Sequence, residues 1–118
     1  MLSLELPTWG STVLAYSARV NPDVISGYGA GVGAGTVVTG KATCTVSAGT
    51  PPYTYHWVIA AGDPEIKATS STSPETTFYA STPPFIFSYS ATVYCEVTDS
   101  LANVINSNLI TVTIERNT

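Results

Sequence analysis

The sequence predicts an all-β chain folded as an antiparallel sandwich, and three observations carry that prediction. Almost every long segment alternates apolar and polar residues with period two, and none sustains the i, i+3, i+4 spacing of an amphipathic helix. Clusters of Gly, Pro, Asn, Asp and Ser interrupt the alternation about every ten residues, the spacing of short strands joined by turns. Polarity comes from 18 Thr and 13 Ser rather than from charge, since only 10% of residues are charged against about 25% in an ordinary soluble domain. Thr suits a pleated, half-buried surface. With 118 residues, 44% of them hydrophobic, the chain suffices for one domain around one core.

The elements follow in order. Leu14, Tyr16, Ala18 and Val20 alternate with Ala15, Ser17 and Arg19, which predicts a first strand over residues 13–20, ended by Asn21-Pro22. The Gly-rich run of residues 26–35 is too bare of side chains to pack a core and reads as a turning segment between strands. Residues 36–48 read as one strand with Val38, Gly40, Ala42, Cys44, Val46 and Ala48 inward and Thr39, Lys41, Thr43, Thr45 and Ser47 outward. Gly49-Thr50-Pro51-Pro52 turns the chain.

Tyr53, Tyr55, Trp57 and Ile59 then face inward from the next strand, which Gly62-Asp63-Pro64 closes. A short strand at residues 65–69 precedes a Ser/Thr run, and residues 75–80 place Thr76, Phe78 and Ala80 on one face. The longest strand carries Tyr89, Ala91, Val93, Cys95 and Val97 inward. Residues 99–103 form a hairpin loop, and Ile110, Val112 and Ile114 line the inward face of the last strand. The total is about seven strands.

Composition excludes several functions. Four Lys and Arg against eight Asp and Glu, a net charge of −4, cannot build the positive patch that nucleic-acid phosphates require. No apolar run approaches membrane-spanning length. The amino terminus lacks the basic start and apolar stretch of an export signal, its first cation being Arg19, so synthesis in a cytoplasm is expected. Gly29-x-Gly31-x-x-Ala34 imitates a dinucleotide fingerprint. That motif must open a helix, however, and Thr36-Val37-Val38-Thr39 is β-branched strand sequence. His56 is the only histidine and falls on the outer face of its strand, with no nucleophile arranged around it, so the chain reads as a non-enzyme needing no cofactor. Asp63, Glu65 and Asp99 are the loop oxygens available to calcium, but they belong to two loops.

Cys44 and Cys95 fall inward on two strands 51 residues apart, with Trp57 inward 13 residues after the first. A Cys…Trp…Cys spacing of this kind is the immunoglobulin-type pattern, in which a core Trp packs against a Cys pair joining two sheets. Closing a loop of about 50 residues would contribute about 4 kcal/mol on loop-entropy grounds. The bridge is expected in material matured outside a cell and thiols in a reducing cytoplasm. A reactive thiol would need cationic neighbours, and neither Cys has one nearby in sequence.

A resemblance sharpens this. Gly49-Thr50-Pro51-Pro52-Tyr53-Thr54-Tyr55-His56-Trp57 resembles the G-x-P-P-Y-x-Y-x-W signature of bacterial and phage immunoglobulin-like and PKD-type domains. Cys95-Glu96-Val97-Thr98-Asp99-Ser100 is similar to their hairpin entry, Glu75-Thr76-Thr77-Phe78 to an intervening strand, and residues 107–114 to their closing strand. The match covers about residues 13–115. It departs from antibody-like domains at Val93, where a tyrosine corner would place Tyr.

The resemblance implies an immunoglobulin-like sandwich over residues 13–118 with an amino-terminal extension at 1–12. It implies an accessory virion protein, decorating a capsid or forming part of a tail, whose partners are capsid or tail subunits and copies of itself. The alternative it implies is an adhesion module for bacterial-surface glycan. Leu2, Leu4, Leu6 and Trp9 precede the domain and are the expected docking residues. Trp9, Tyr28, Tyr79, Phe85 and Phe87 are candidate exposed contact rings.

Overall fold

The computed structural model describes residues 15–30, 35–82 and 86–117. The described chain forms eleven strands: β1 (Ser17–Asn21), β2 (Val24–Ala30), β3 (Gly35–Val38), β4 (Ala42–Ser47), β5 (Thr54–Gly62), β6 (Lys67–Ala68), β7 (Glu75–Thr76), β8 (Phe78–Thr82), β9 (Phe87–Thr98), β10 (Val104–Asn106) and β11 (Ile110–Asn117). No helix occurs among the described residues.

These strands make two layers. In one, β1 pairs β4, β4 pairs β7, and β3-β8-β6 continues beyond them. The junction between the two halves is hydrogen-bonded: Thr39 N donates to Phe78 O (2.8 Å), and Phe78 N donates to Thr39 Oγ1 (2.9 Å). In the other layer the central β9 takes β5 on one side and β10 and β11 on the other, and β2 lies outside β11. Taking β3/β4, β7/β8 and β10/β11 as interrupted single strands, the layers run β1–β4–β7/β8–β6 and β5–β9–β11. That gives a four-plus-three order of strands, with β2 added at the edge of the second layer.

The layers meet through their inward faces. Val20, Phe78, Val93, Val97, Val112 and Ile114 are fully buried, and Trp57 of β5 meets Phe78 of β8 edge to face, ring centroids 5.8 Å apart at 82°. The inward sets expected for β11 and for Thr76, Phe78 and Ala80 are buried, as are Ala91, Val93, Cys95 and Val97 of β9, whereas Tyr89 is only partly buried. In β5, Trp57 is buried, and Tyr55 and Ile59, with Tyr53 just ahead of the strand, are partly buried against the core.

The structure corrects four expectations. Residues 36–48 are not one strand in one phase: Val37 and Thr39 are buried and Val38 is 53% exposed, whereas Ala42 and Cys44 point inward again. Two outward residues in succession, Gly40 and Lys41, shift the phase, and the Thr39 side chain substitutes for the missing ladder bond. The described part of the Gly-rich run, residues 26–30 and 35, is strand. β2 continues through Gly27 and Gly29 because a Cβ on Gly27 would meet the Val38 carbonyl at 3.0 Å, so only bare backbone lets β2 lie this close to β3. The sheet is not wholly antiparallel, since β2 runs parallel to β11 with Val24 opposite Thr111. Phe87, expected as an exposed contact ring, is half-buried within β9, edge-on to Tyr89 at 4.1 Å.

The break between β10 and β11 ties the layers together. Ser107 folds back on Cys95: its N donates to Cys95 O and its Oγ accepts from Cys95 N, both at 2.9 Å. This frees the Asn108 side chain to act as a piece of strand for β1. Its Oδ1 accepts from Val20 N (2.7 Å) and its Nδ2 donates to Val20 O (3.1 Å), satisfying both backbone groups of a fully buried residue.

Candidate functional site

Three segments remote in sequence meet at one end of the sandwich: the entry to β1, the Gly49–Pro52 turn and the β9–β10 hairpin. Asp99 organises them. Its Oδ1 accepts from Asn103 N (2.9 Å) and Leu101 N (3.0 Å), and its Oδ2 accepts from Thr50 N (3.2 Å) and Asn103 Nδ2 (3.4 Å). Ser100 N donates to Thr50 O at 2.9 Å, closing turn against hairpin. Asp99 is 5% exposed. Desolvation pushes its carboxyl up, but the hydrogen bonds from Asn103, Thr50 and Leu101 outweigh it and hold the group below its ordinary value.

Tyr16 braces the same end from below. Its ring covers Gly49, whose φ is +73°, and stacks on Tyr53 at 6.4 Å. A side chain at position 49 would stand 2.7 Å from that ring, which is why a glycine is required there. The Tyr16 hydroxyl reaches the carbonyls of Val97 (3.2 Å) and Asn103 (3.3 Å), and the Tyr53 hydroxyl donates to Ala48 O at 2.6 Å. This bracing holds two apolar side chains in solvent: Leu101 at the hairpin tip is 67% exposed and Val104 is 55% exposed. A pinned, apolar tip can bind a partner with little loss of conformational entropy.

Asp99→Ala is expected to lower the melting temperature at pH 7. The carboxyl is held below its unfolded value, so its stabilisation is complete above about pH 4 and is lost as pH falls through the folded value. The wild-type advantage over Asp99→Ala therefore shrinks on acidification below about pH 4, as thermal melts at stepped pH would show. A constant difference down to pH 2 would mean that the carboxylate charge is irrelevant.

The sequence-predicted residues are distributed as follows. Trp57, Cys44 and Cys95 are buried in the core, Trp57 opposite Cys95 across β5 and β9. The two cysteines are not bridged in this structure, and the neighbouring Cys44 together with burial holds the Cys95 thiol well above the ordinary thiol range. Leu2, Leu4, Leu6, Trp9 and Phe85 lie outside the described residues. Tyr28 is 60% exposed on β2, and Tyr79 is half-buried. His56 stands on the outer face, its Nδ1 4.0 Å from Glu96 Oε1.

Asp63 and Asp99 sit near opposite ends of the layer: Asp63 accepts from Ser90 N (2.9 Å), whereas Asp99 follows the far end of β9. Among the described residues no group of three potential metal ligands forms. The fingerprint-like glycines lead into β3, not into a helix. A lateral groove of about 520 Å³ between β5 and β6 is lined by Trp57, Ile59, Ile66, Ala68 and Lys67, and Lys67 Nζ is engaged by Pro64 O at 3.2 Å.

The sequence reading missed the roles of Asp99, Tyr16 and Asn108. A signal existed for the first, since Asp at the start of a hairpin loop commonly bonds backbone N–H groups two and four residues on. No family model matches the chain, and no curated protein is significantly similar to it.

Proposed function

We propose that this chain is a non-enzymatic structural accessory protein of a phage or prophage virion, decorating a capsid or forming part of a tail through protein–protein contacts. The carrying observation is the braced end of the sandwich, where Asp99 accepts from Leu101 N and the Tyr16 hydroxyl reaches Asn103 O of the same hairpin, leaving the Leu101 side chain exposed. Apolar side chains held rigidly in water favour a contact surface. The virion assignment draws on the likeness of residues 49–57 and 95–100 to phage immunoglobulin-like domains. A second reading, binding to bacterial-surface carbohydrate, draws on the outer face of β9 and β11, where Thr92 opposes Thr111 and Ser90 opposes Thr113.

The test is particle composition. Particles from an induced host should carry the full-length chain in fixed ratio to a capsid or tail subunit. Deletion of residues 1–12 should leave the circular dichroism spectrum and melt intact while removing the chain from particles. Full incorporation of the truncated chain would overturn docking through the extension. Absence of the full-length chain from particles, with retention on a glycan array, would replace the virion reading by the carbohydrate one.

A further inference from the structure

Arg116 is a buried cation without a counter-charge among the described residues. It stands on the inward face of β11, opposite Phe87 of β9 and Gly29 of β2, and is 7% exposed. Its Nε donates to Thr82 Oγ1 at 2.7 Å, and that hydroxyl reaches Gly35 O at 3.2 Å.

The described acidic residues are engaged elsewhere or exposed to solvent. Asp23 pairs with Arg19 (3.0 Å), Glu75 with Lys41 (3.3 Å), and Glu96 lies beside His56. Asp63 holds Ser90 N, Asp99 holds the hairpin, and Glu65 and Glu115 are exposed, Glu115 on the opposite face of the strand.

The space around the guanidinium is shaped by glycines. One terminal nitrogen, Nη2, lies 3.3 Å from where a Cβ would stand on Gly29 and 3.5 Å from the equivalent point on Gly35. A side chain at position 29 would press on Val37 and crowd the guanidinium, whereas one at position 35 would rest against it in ordinary contact. The result is a cationic fork beside a hydroxyl, with bare backbone on two sides.

A guanidinium removed from water is costly unless an anion meets it, and its planar fork matches a carboxylate through two parallel hydrogen bonds. We propose that Arg116, Thr82 and the backbone at Gly29 and Gly35 form a carboxylate-binding site, filled by an acidic side chain of a neighbouring protein subunit. The site lies at the end of β9 remote from Leu101, so each subunit can contact one neighbour through each end. That the donor is a subunit of the same assembly rests on the proposed function; the chemistry of the guanidinium and its neighbours does not.

The experiment follows the melting temperature of the full chain and the 15N resonance of Arg116 Nε. Sodium chloride is replaced at constant ionic strength by sodium acetate, by sodium phosphate, or supplemented with the peptides acetyl-Leu-Glu-Leu-amide and acetyl-Leu-Gln-Leu-amide. Acetate and the Glu peptide should shift the Arg116 resonance and raise the melting temperature, by about 2 °C at a ligand concentration equal to its Kd. The Gln peptide should do neither, and Arg116→Met should abolish the response.

An equal response in wild type and Arg116→Met overturns the site, and a response to phosphate alone overturns its carboxylate class. If Glu5→Gln shifts the Arg116 resonance in ligand-free chain, the chain's own Glu5 fills the pocket and the neighbouring donor is wrong. Should Arg116→Met not fold, Arg116→Lys, which keeps the charge without the fork, and the wild-type resonance still decide the matter. Failure here leaves particle incorporation untouched, so the two readings fail separately.

Discussion

Trp57→Ala should cost about 3–5 kcal/mol of folding stability, a large share of the 5–15 kcal/mol that holds a typical domain together. Trp57 is 4% exposed, lies opposite Cys95, and meets Phe78 across the two layers. Truncation removes the largest side chain shared by both layers and leaves a cavity that β5 and β8, fixed by their ladders, cannot close. It also deletes the indole donor to Ser73 O, a 2.7 Å bond that holds the β6–β7 connection against β5. Urea unfolding measures the effect as a fall in midpoint. Trp57→Phe separates the terms, since it keeps most of the apolar volume and loses only the donor, and should cost clearly less. A Trp57→Ala midpoint close to wild type would remove Trp57 from the centre of the core.

Gly62→Ala should cost about 3 kcal/mol or more, from backbone strain and overpacking together. Gly62 ends β5 at φ +101°, a conformation that an L side chain rarely adopts. An added Cβ would stand 2.6 Å from Ala91 Cα and against the Ser90 carbonyl. Those atoms cannot retreat, because Ser90 O accepts from Asp63 N and Ser90 N donates to Asp63 Oδ2, both at 2.9 Å. Gly40→Ala is the matched control: no atom lies within 4 Å of its Cβ position, and its stability should stay within about 0.5 kcal/mol of wild type. Equal effects at the two glycines would contradict the close β5–β9 approach.

How far the sequence reveals this molecule depends on whether a feature is carried by side chains in alternation. β9 and β11 were legible because every second residue is apolar and both strands sit centrally in a layer. The hairpin at residues 99–103 was legible from its turn residues. The phase shift at Gly40 and Lys41 was not, because the Thr39 hydroxyl takes over a backbone role that period two cannot register. β2 was misread for a related reason: Gly27 and Gly29 have no side chain to alternate, and their use is the space they leave.

The braced end and the Arg116 site depend on contacts between residues far apart in sequence. Tyr16 meets Asn103 across 87 positions, Asn108 meets Val20 across 88, and Arg116 meets Thr82 across 34. No local pattern encodes such meetings. Leu2, Leu4, Leu6 and Trp9 are expected docking residues only from the apolar character of a segment ahead of the domain, and they lie outside the described residues.

Assembly through the braced end can be read out by site-specific photo-crosslinking inside intact particles. A benzophenone side chain is placed at position 101 in one variant and at position 24 in another. Leu101 and Val24 are similarly exposed, at 67% and 62%, but Val24 lies on the outer face of β2 opposite Thr111, away from the hairpin. If assembly runs through the hairpin, irradiated particles should yield a crosslink from position 101 to a capsid or tail subunit, and little or none from position 24. Crosslinks from position 24 with none from position 101 would contradict it.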